Sequence, residues 1–112
     1  MTHRDDLRMP IFEKITHELG RPRLYLLRYS EVFYAETSIG DRSVQVIVKK
    51  HPSGENPEFY QGRESWTVEI FDNTHFDEDP ELIFRLLDAQ ESLELALQMV
   101  DWDKVRASLH EG

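Results

Sequence analysis

The chain has 112 residues, no cysteine and a formal net charge of −9, with 31% charged residues, 39% apolar residues and 11% aromatics. This composition excludes disulfides, thiolate chemistry and cysteine-ligated metal centres, argues for a folded core rather than disorder, and disfavours general nucleic-acid binding because an acidic body repels phosphate. The length fits one domain, no apolar run reaches the roughly 18 residues that span a bilayer, and the polar start lacks a secretory pattern, so a soluble cytoplasmic protein with no membrane association is expected.

Residues 1–9 are polar and are expected to form a flexible N-terminus, with a single domain over 10–112. Pro10 is placed to open a helix. Ile11, Phe12, Ile15 and Leu19 make its apolar stripe, and Gly20 and Pro22 end it. Residues Leu24 to Tyr29 are sheet-like, and Val32, Phe33 and Tyr34 continue after a polar step. Over 23–37 the pattern fits either one bulged strand or two short ones. Ile39-Gly40-Asp41-Arg42 is a turn signal. Val44, Val46 and Val48 then alternate with Gln45, Ile47 and Lys49, as a strand with one buried face requires. Trp66, Val68 and Ile70 repeat that pattern in a further strand. Between the two lies the segment His51–Arg63, long for a hairpin and punctuated by Pro52, Gly54, Pro57 and Gly62. Phe59 and Tyr60 sit inside it as candidate loop contacts.

The last third reads as helical. Asp79-Pro80-Glu81 has an N-cap, a first-turn proline and an acid at the positive end of the dipole, followed by a stripe of Leu82, Ile83, Leu86 and Leu87. Asp88-Ala89-Gln90-Glu91 has capping-box spacing, so a second helix is expected there, lined by Leu93, Ala96, Leu97 and Val100. Asp101 is placed to cap a final helix with Trp102, Val105 and Leu109 inward; one long kinked helix is the alternative. The expected fold class is therefore α+β: an N-terminal helix, a three- to four-stranded antiparallel meander, and two to three C-terminal helices packed on one sheet face. The opposite face would show Ile47 and Phe71, with Tyr25 and Tyr29, among polar residues. A half-apolar free face of this kind offers a route to a homodimer.

Patterns for chemistry are sparse. His17-Glu18 lacks the second histidine of a zinc-protease helix, because Arg21 stands at that position. The run Asp72–Asp79 is rich in oxygen ligands but lacks the glycine and the alternation of a calcium loop. The five histidines show no ligand spacing, and neither a nucleophile elbow nor a phosphate loop occurs. No cofactor, metal or catalytic residue is implied. A second class of reading is a small enzyme or ligand binder. Its site would lie under the 51–63 loop and use His51, Tyr60, Trp66 or His75. A cationic patch from Arg21, Arg23, Arg28, Arg42 and Lys49-Lys50-His51 would suit an anion.

Charge placement says more. Residues 1–50 carry nine Lys/Arg against seven Asp/Glu, whereas 51–112 carry four against fifteen. The densest stretch holds Asp77, Glu78, Asp79, Glu81, Asp88, Glu91, Glu94, Asp101 and Asp103, with Arg85 as its one cation. Helical proteins usually intersperse opposite charges, since like charges one turn apart repel. The leading expectation is a non-enzymatic protein-binding module (an inhibitor, immunity protein, chaperone or regulatory subunit) that docks a basic partner through an acidic helical surface. A structural homo-oligomer is a third possibility.

Overall fold

Five strands in the order β1-β2-β3-β4-β5 form one antiparallel meander, each strand paired with its neighbour in sequence. The computed structural model describes residues 4–26, 32–51, 65–75, 77–86 and 88–110. The elements are α1 (Arg4–Glu18), β1 (Arg23–Leu26), β2 (Val32–Ile39), β3 (Arg42–His51), β4 (Ser65–Asp72), β5 (Glu81–Arg85), α2 (Leu93–Met99) and α3 (Trp102–His110). This is the expected α+β arrangement. None of the described helices is long and apolar enough to cross a membrane.

The first helix begins at Arg4, so Pro10 lies inside it rather than opening it. Proline already holds a helical φ, but inside the helix it gives up one intrahelical hydrogen bond and its ring crowds the carbonyl four residues earlier. Ile11 and Ile15 are fully buried, as their stripe predicts. The helix closes where Leu19 and Gly20 both donate their N–H to the Ile15 carbonyl, at 2.8 and 2.9 Å. Gly20 has φ 153°, and a Cβ there would sit 3.3 Å from Thr37 Oγ1. Residues 23–37 resolve into two strands, with 27–31 outside the described residues. Gly40, at φ 57°, makes the β2–β3 turn, a left-handed conformation that glycine adopts without steric penalty.

Strand periodicity then sorts the side chains. Phe33, Ala35, Val44, Val46, Val48, Trp66, Val68 and Ile70 point to one side and are buried. They meet Ile11 and Ile15 of α1, Leu93, Ala96 and Leu97 of α2, and Trp102, Val105 and Leu109 of α3 in a single core. Phe33 stacks on Trp66 with ring centroids 6.4 Å apart. The Trp102 indole donates to the Leu97 carbonyl at 3.0 Å, which satisfies one of the orphan acceptors at the end of α2.

One expected element is of a different kind. Residues 80–86 are not a helix: Glu81–Arg85 form β5, paired antiparallel with β4, and Leu87 lies outside the described residues. The local signals of Asp79-Pro80-Glu81 are genuine helix-start chemistry, but β4 would otherwise end the sheet with an open edge. Ile83 and Phe84 also favour a strand. Pairing with β4 satisfies more backbone than a two-turn helix can, and Pro80 falls just before the strand, where its missing N–H does no harm. The chain rejoins β4 again at Gln90, whose N–H and C=O both bond to Trp66 at 2.9 and 2.7 Å. Gln90 is therefore held in the sheet, and the expected capping box at Asp88–Glu91 starts no helix. Ser92 is the N-cap of α2 instead, its Oγ accepting from Leu95 N at 3.1 Å. Asp101 does cap α3, accepting from Lys104 N at 3.1 Å.

Candidate functional site

All nine carboxylates singled out by their density are exposed. They do not lie on one helical face. Asp77, Glu78 and Asp79 occupy the turn between β4 and β5, and Glu81 opens β5. Asp88 and Glu91 lie past the other end of that strand, Glu94 is in the first turn of α2, Asp101 precedes α3 and Asp103 is in its first turn. The four strand residues 82–85, at about 3.3 Å each, separate the 77–81 group from the 88–91 group by more than one Debye length at physiological salt. The acids at 77–81 and at 88–91 therefore form a pair of groups at the two ends of β5, while Glu94 of α2 lines a cleft against α1 with Lys14 and His17, and Asp103 is tied to the Arg106 that clamps Glu18.

Few of these acids are paired among the described residues. Between positions 77 and 106 the only cations are Arg85, Lys104 and Arg106. The Arg85 Nε already bonds Glu69 at 2.6 Å, across the register pair that β4 and β5 set. Arg106 bonds the Glu18 carboxylate at 2.5 Å, the Glu18 carbonyl at 3.1 Å, and Asp103. Beyond the capping Asp101 and the paired Asp103, the other seven carboxylates take part in no ion pair or side-chain hydrogen bond among the described residues.

The turn that carries the first cluster is anchored from below. Asp72, the last residue of β4, accepts from Arg42 at 2.7 Å and from the Thr74 amide and hydroxyl at 2.9 and 2.5 Å. The same Thr74 oxygen accepts from Ser43 N at 2.9 Å, and Asn73 N reaches the Ser43 carbonyl at 2.8 Å. Burial pushes the Asp72 carboxyl up, but the Thr74 bonds and the Arg42 guanidinium together outweigh it and hold it below its usual value. A matching clamp ties α3 to the end of α1. The Arg106 hydrogen bond outweighs the upward push of burial and, with Lys14, holds the Glu18 carboxyl below its ordinary value.

The remaining sequence candidates do not converge. Phe59 and Tyr60, with the rest of 52–64, lie outside the described residues. Trp66 faces the core and His51 lies on the opposite face of the sheet, with its Nε2 3.2 Å from Thr67 Oγ1, while His75 is exposed beyond β4. No three His, Asp or Glu side chains among the described residues come together as a metal site needs. Of the cations, Arg42 is engaged by Asp72, Lys50 lies 5.8 Å from the Trp66 ring centroid, and Arg28 is outside the described residues. Arg21 and Arg23 line a polar cleft of about 370 Å³ with Glu36, Ser38 and Ser43.

A feature invisible to sequence periodicity lies along β5. A groove of about 440 Å³ runs beside this strand, lined by the apolar Ile83, Phe84, Leu86 and Met99 and by the polar or charged Arg85, Asp88, Gln90 and Lys104. Met99 is 56% exposed and Leu82 42% exposed, so apolar surface sits between the two acidic clusters. A helix assignment for 80–87 hides this groove, and the three consecutive apolar residues Leu82-Ile83-Phe84 were its only signal. Comparison with protein-family models, curated proteins and solved structures finds no match in any of the three.

Proposed function

We propose that this protein is a non-enzymatic binding module that docks a basic protein partner through the acidic surface flanking β5. The observation that supports this most directly is the set of seven exposed carboxylates that take part in no ion pair among the described residues. Asp77, Glu78, Asp79 and Glu81 stand at one end of the strand, Asp88 and Glu91 past the other, and Glu94 in the first turn of α2. Structural carboxylates in this chain look different: Glu18 and Asp72 are half-buried and hydrogen-bonded. Mutually repelling charges add nothing to folding, so their concentration is better explained by a cationic ligand. An apolar centre with a charged surround is also the usual anatomy of a protein interface. Asp72, Thr74 and Arg42 act as positioning residues that fix the acidic turn on the sheet.

The test is affinity capture from native extract by the full chain and by a variant with Asp77→Asn, Glu78→Gln, Asp79→Asn and Glu81→Gln. A basic protein retained by the first at low salt, released at high salt and not retained by the variant supports the proposal. An identical set of captured proteins on both would refute it. A homodimer through the outward sheet face is the second reading, favoured by Tyr34, Ile47 and Phe71, which are half-buried on that face. A monomer in sedimentation at high concentration would remove it.

A further inference from the structure

β5 ends the sheet, so its outer side pairs with no described strand. Leu86 donates its N–H inward to the Val68 carbonyl at 3.0 Å. Antiparallel pairing alternates inward and outward backbone groups, so Arg85, directly before it and opposite Glu69, turns its own N–H and C=O toward the open edge. Exposed edges are usually blunted by a central lysine or proline. Residues 82–84 are Leu-Ile-Phe; the strand is short, carries a charge at each end in Glu81 and Arg85, and has a register shift opposite Ile70/Phe71, which leaves Arg85 regular. Beside this edge runs the groove floored by Ile83, Phe84 and Met99.

Charge selects what can add there. From 77 to 88 each copy carries five carboxylates against Arg85. An antiparallel second copy centred on Ile83 would oppose Glu81 to Arg85 twice, but it would also set Glu78 against Asp88 and bring both acidic turns together. A neutral strand gains nothing from the flanks. A cationic strand is attracted at both ends. Resting on the acidic docking reading above, we infer that the β5 edge is a strand-addition site for an extended partner segment in which apolar residues alternate with Lys or Arg. Main-chain bonds to Arg85 give it register, every second side chain enters the groove against Phe84 and Met99, and the cations meet the 77–81 and 88–91 clusters. Alternation is the requirement, because successive strand residues point to opposite faces.

The experiment is fluorescence anisotropy of the full chain with three synthetic peptides at low salt. The first is Lys-Ile-Lys-Val-Lys-Ile-Lys, the second the same peptide with alternate backbone amides N-methylated, and the third has glycine in place of each apolar residue. Both alterations keep the charge. The expected result is binding of the first, at least about tenfold weaker binding of the other two, and slowed hydrogen exchange at the Arg85 amide. Met99→Gln, an exposed position that leaves the core intact, weakens the first peptide severalfold and the glycine peptide not at all. Equal binding of all three peptides overturns strand addition and leaves acidic docking standing. Binding by none of them overturns both.

Discussion

Neutralising the acidic turn separates a docking surface from a structural one. The variant Asp77→Asn, Glu78→Gln, Asp79→Asn and Glu81→Gln removes four exposed carboxylates that have no ionic partner among the described residues. Two charges about 8 Å apart in water repel by about 0.5 kcal/mol, and screening at physiological salt lowers this to about 0.2. Three neighbouring pairs therefore release about 0.6 kcal/mol, against ordinary surface-substitution effects of about 0.5 either way. Urea unfolding of the variant should show unchanged or slightly raised stability, with an unaltered slope. Affinity for a basic partner should fall in the same variant. At about 0.2–1 kcal/mol per exposed charge pair, four losses weaken binding by about 1–4 kcal/mol and flatten its salt dependence. A stability loss above about 1 kcal/mol would refute the reasoning, because it would mean these carboxylates hold the turn and are not spare for a ligand.

Phe33→Ala empties the largest fully buried side-chain position and removes the stack on Trp66, so about 3–5 kcal/mol of stability should be lost, read as a shifted urea midpoint. Glu18 and Asp72 titrate below their unfolded values, so their contribution is complete above about pH 5 and disappears as pH falls through the carboxylates' lowered folded range. Acid unfolding of Arg42→Ala and Arg106→Ala should therefore depend less steeply on pH than that of the parent, and an unchanged profile would count against the two clamps. Gly20→Val should cost more than Gly40→Ala in thermal unfolding, because a side chain at 20 meets Thr37 as well as an unfavourable φ, whereas nothing lies within 4 Å of a Cβ at 40.

Much of this molecule is legible in local chemistry. Alternation in 44–48 and 66–70 assigns each side chain to the core or to the outside without knowledge of the partner strand. A period of two leaves no other consistent choice once one face is buried. The stripe of Ile11 and Ile15, the Gly20 stop, the turn at Gly40 and the Asp101 cap follow equally from residues a few positions apart. The exposure of the nine acids was legible too, since a charge without a partner stays in water. What their arrangement would be was not. Residues 79–87 carry helix-start signals in their first three positions and tolerate either structure in the rest, so the outcome depended on β4, more than eight residues away, needing a neighbour. The same long-range pairing holds Gln90 against Trp66 and moves the start of α2 to Ser92. Local propensity is worth tenths of a kcal/mol per residue, whereas a β-ladder satisfies several backbone groups at once. Sequence thus determined the buried face of the regular strands and the exposure of the acids, but not the exposure of Leu82, which its helical stripe had turned inward. Only the tertiary pairing decided that the acids at 77–81 and 88–91 flank the last described strand of the sheet and its groove rather than coat a helix.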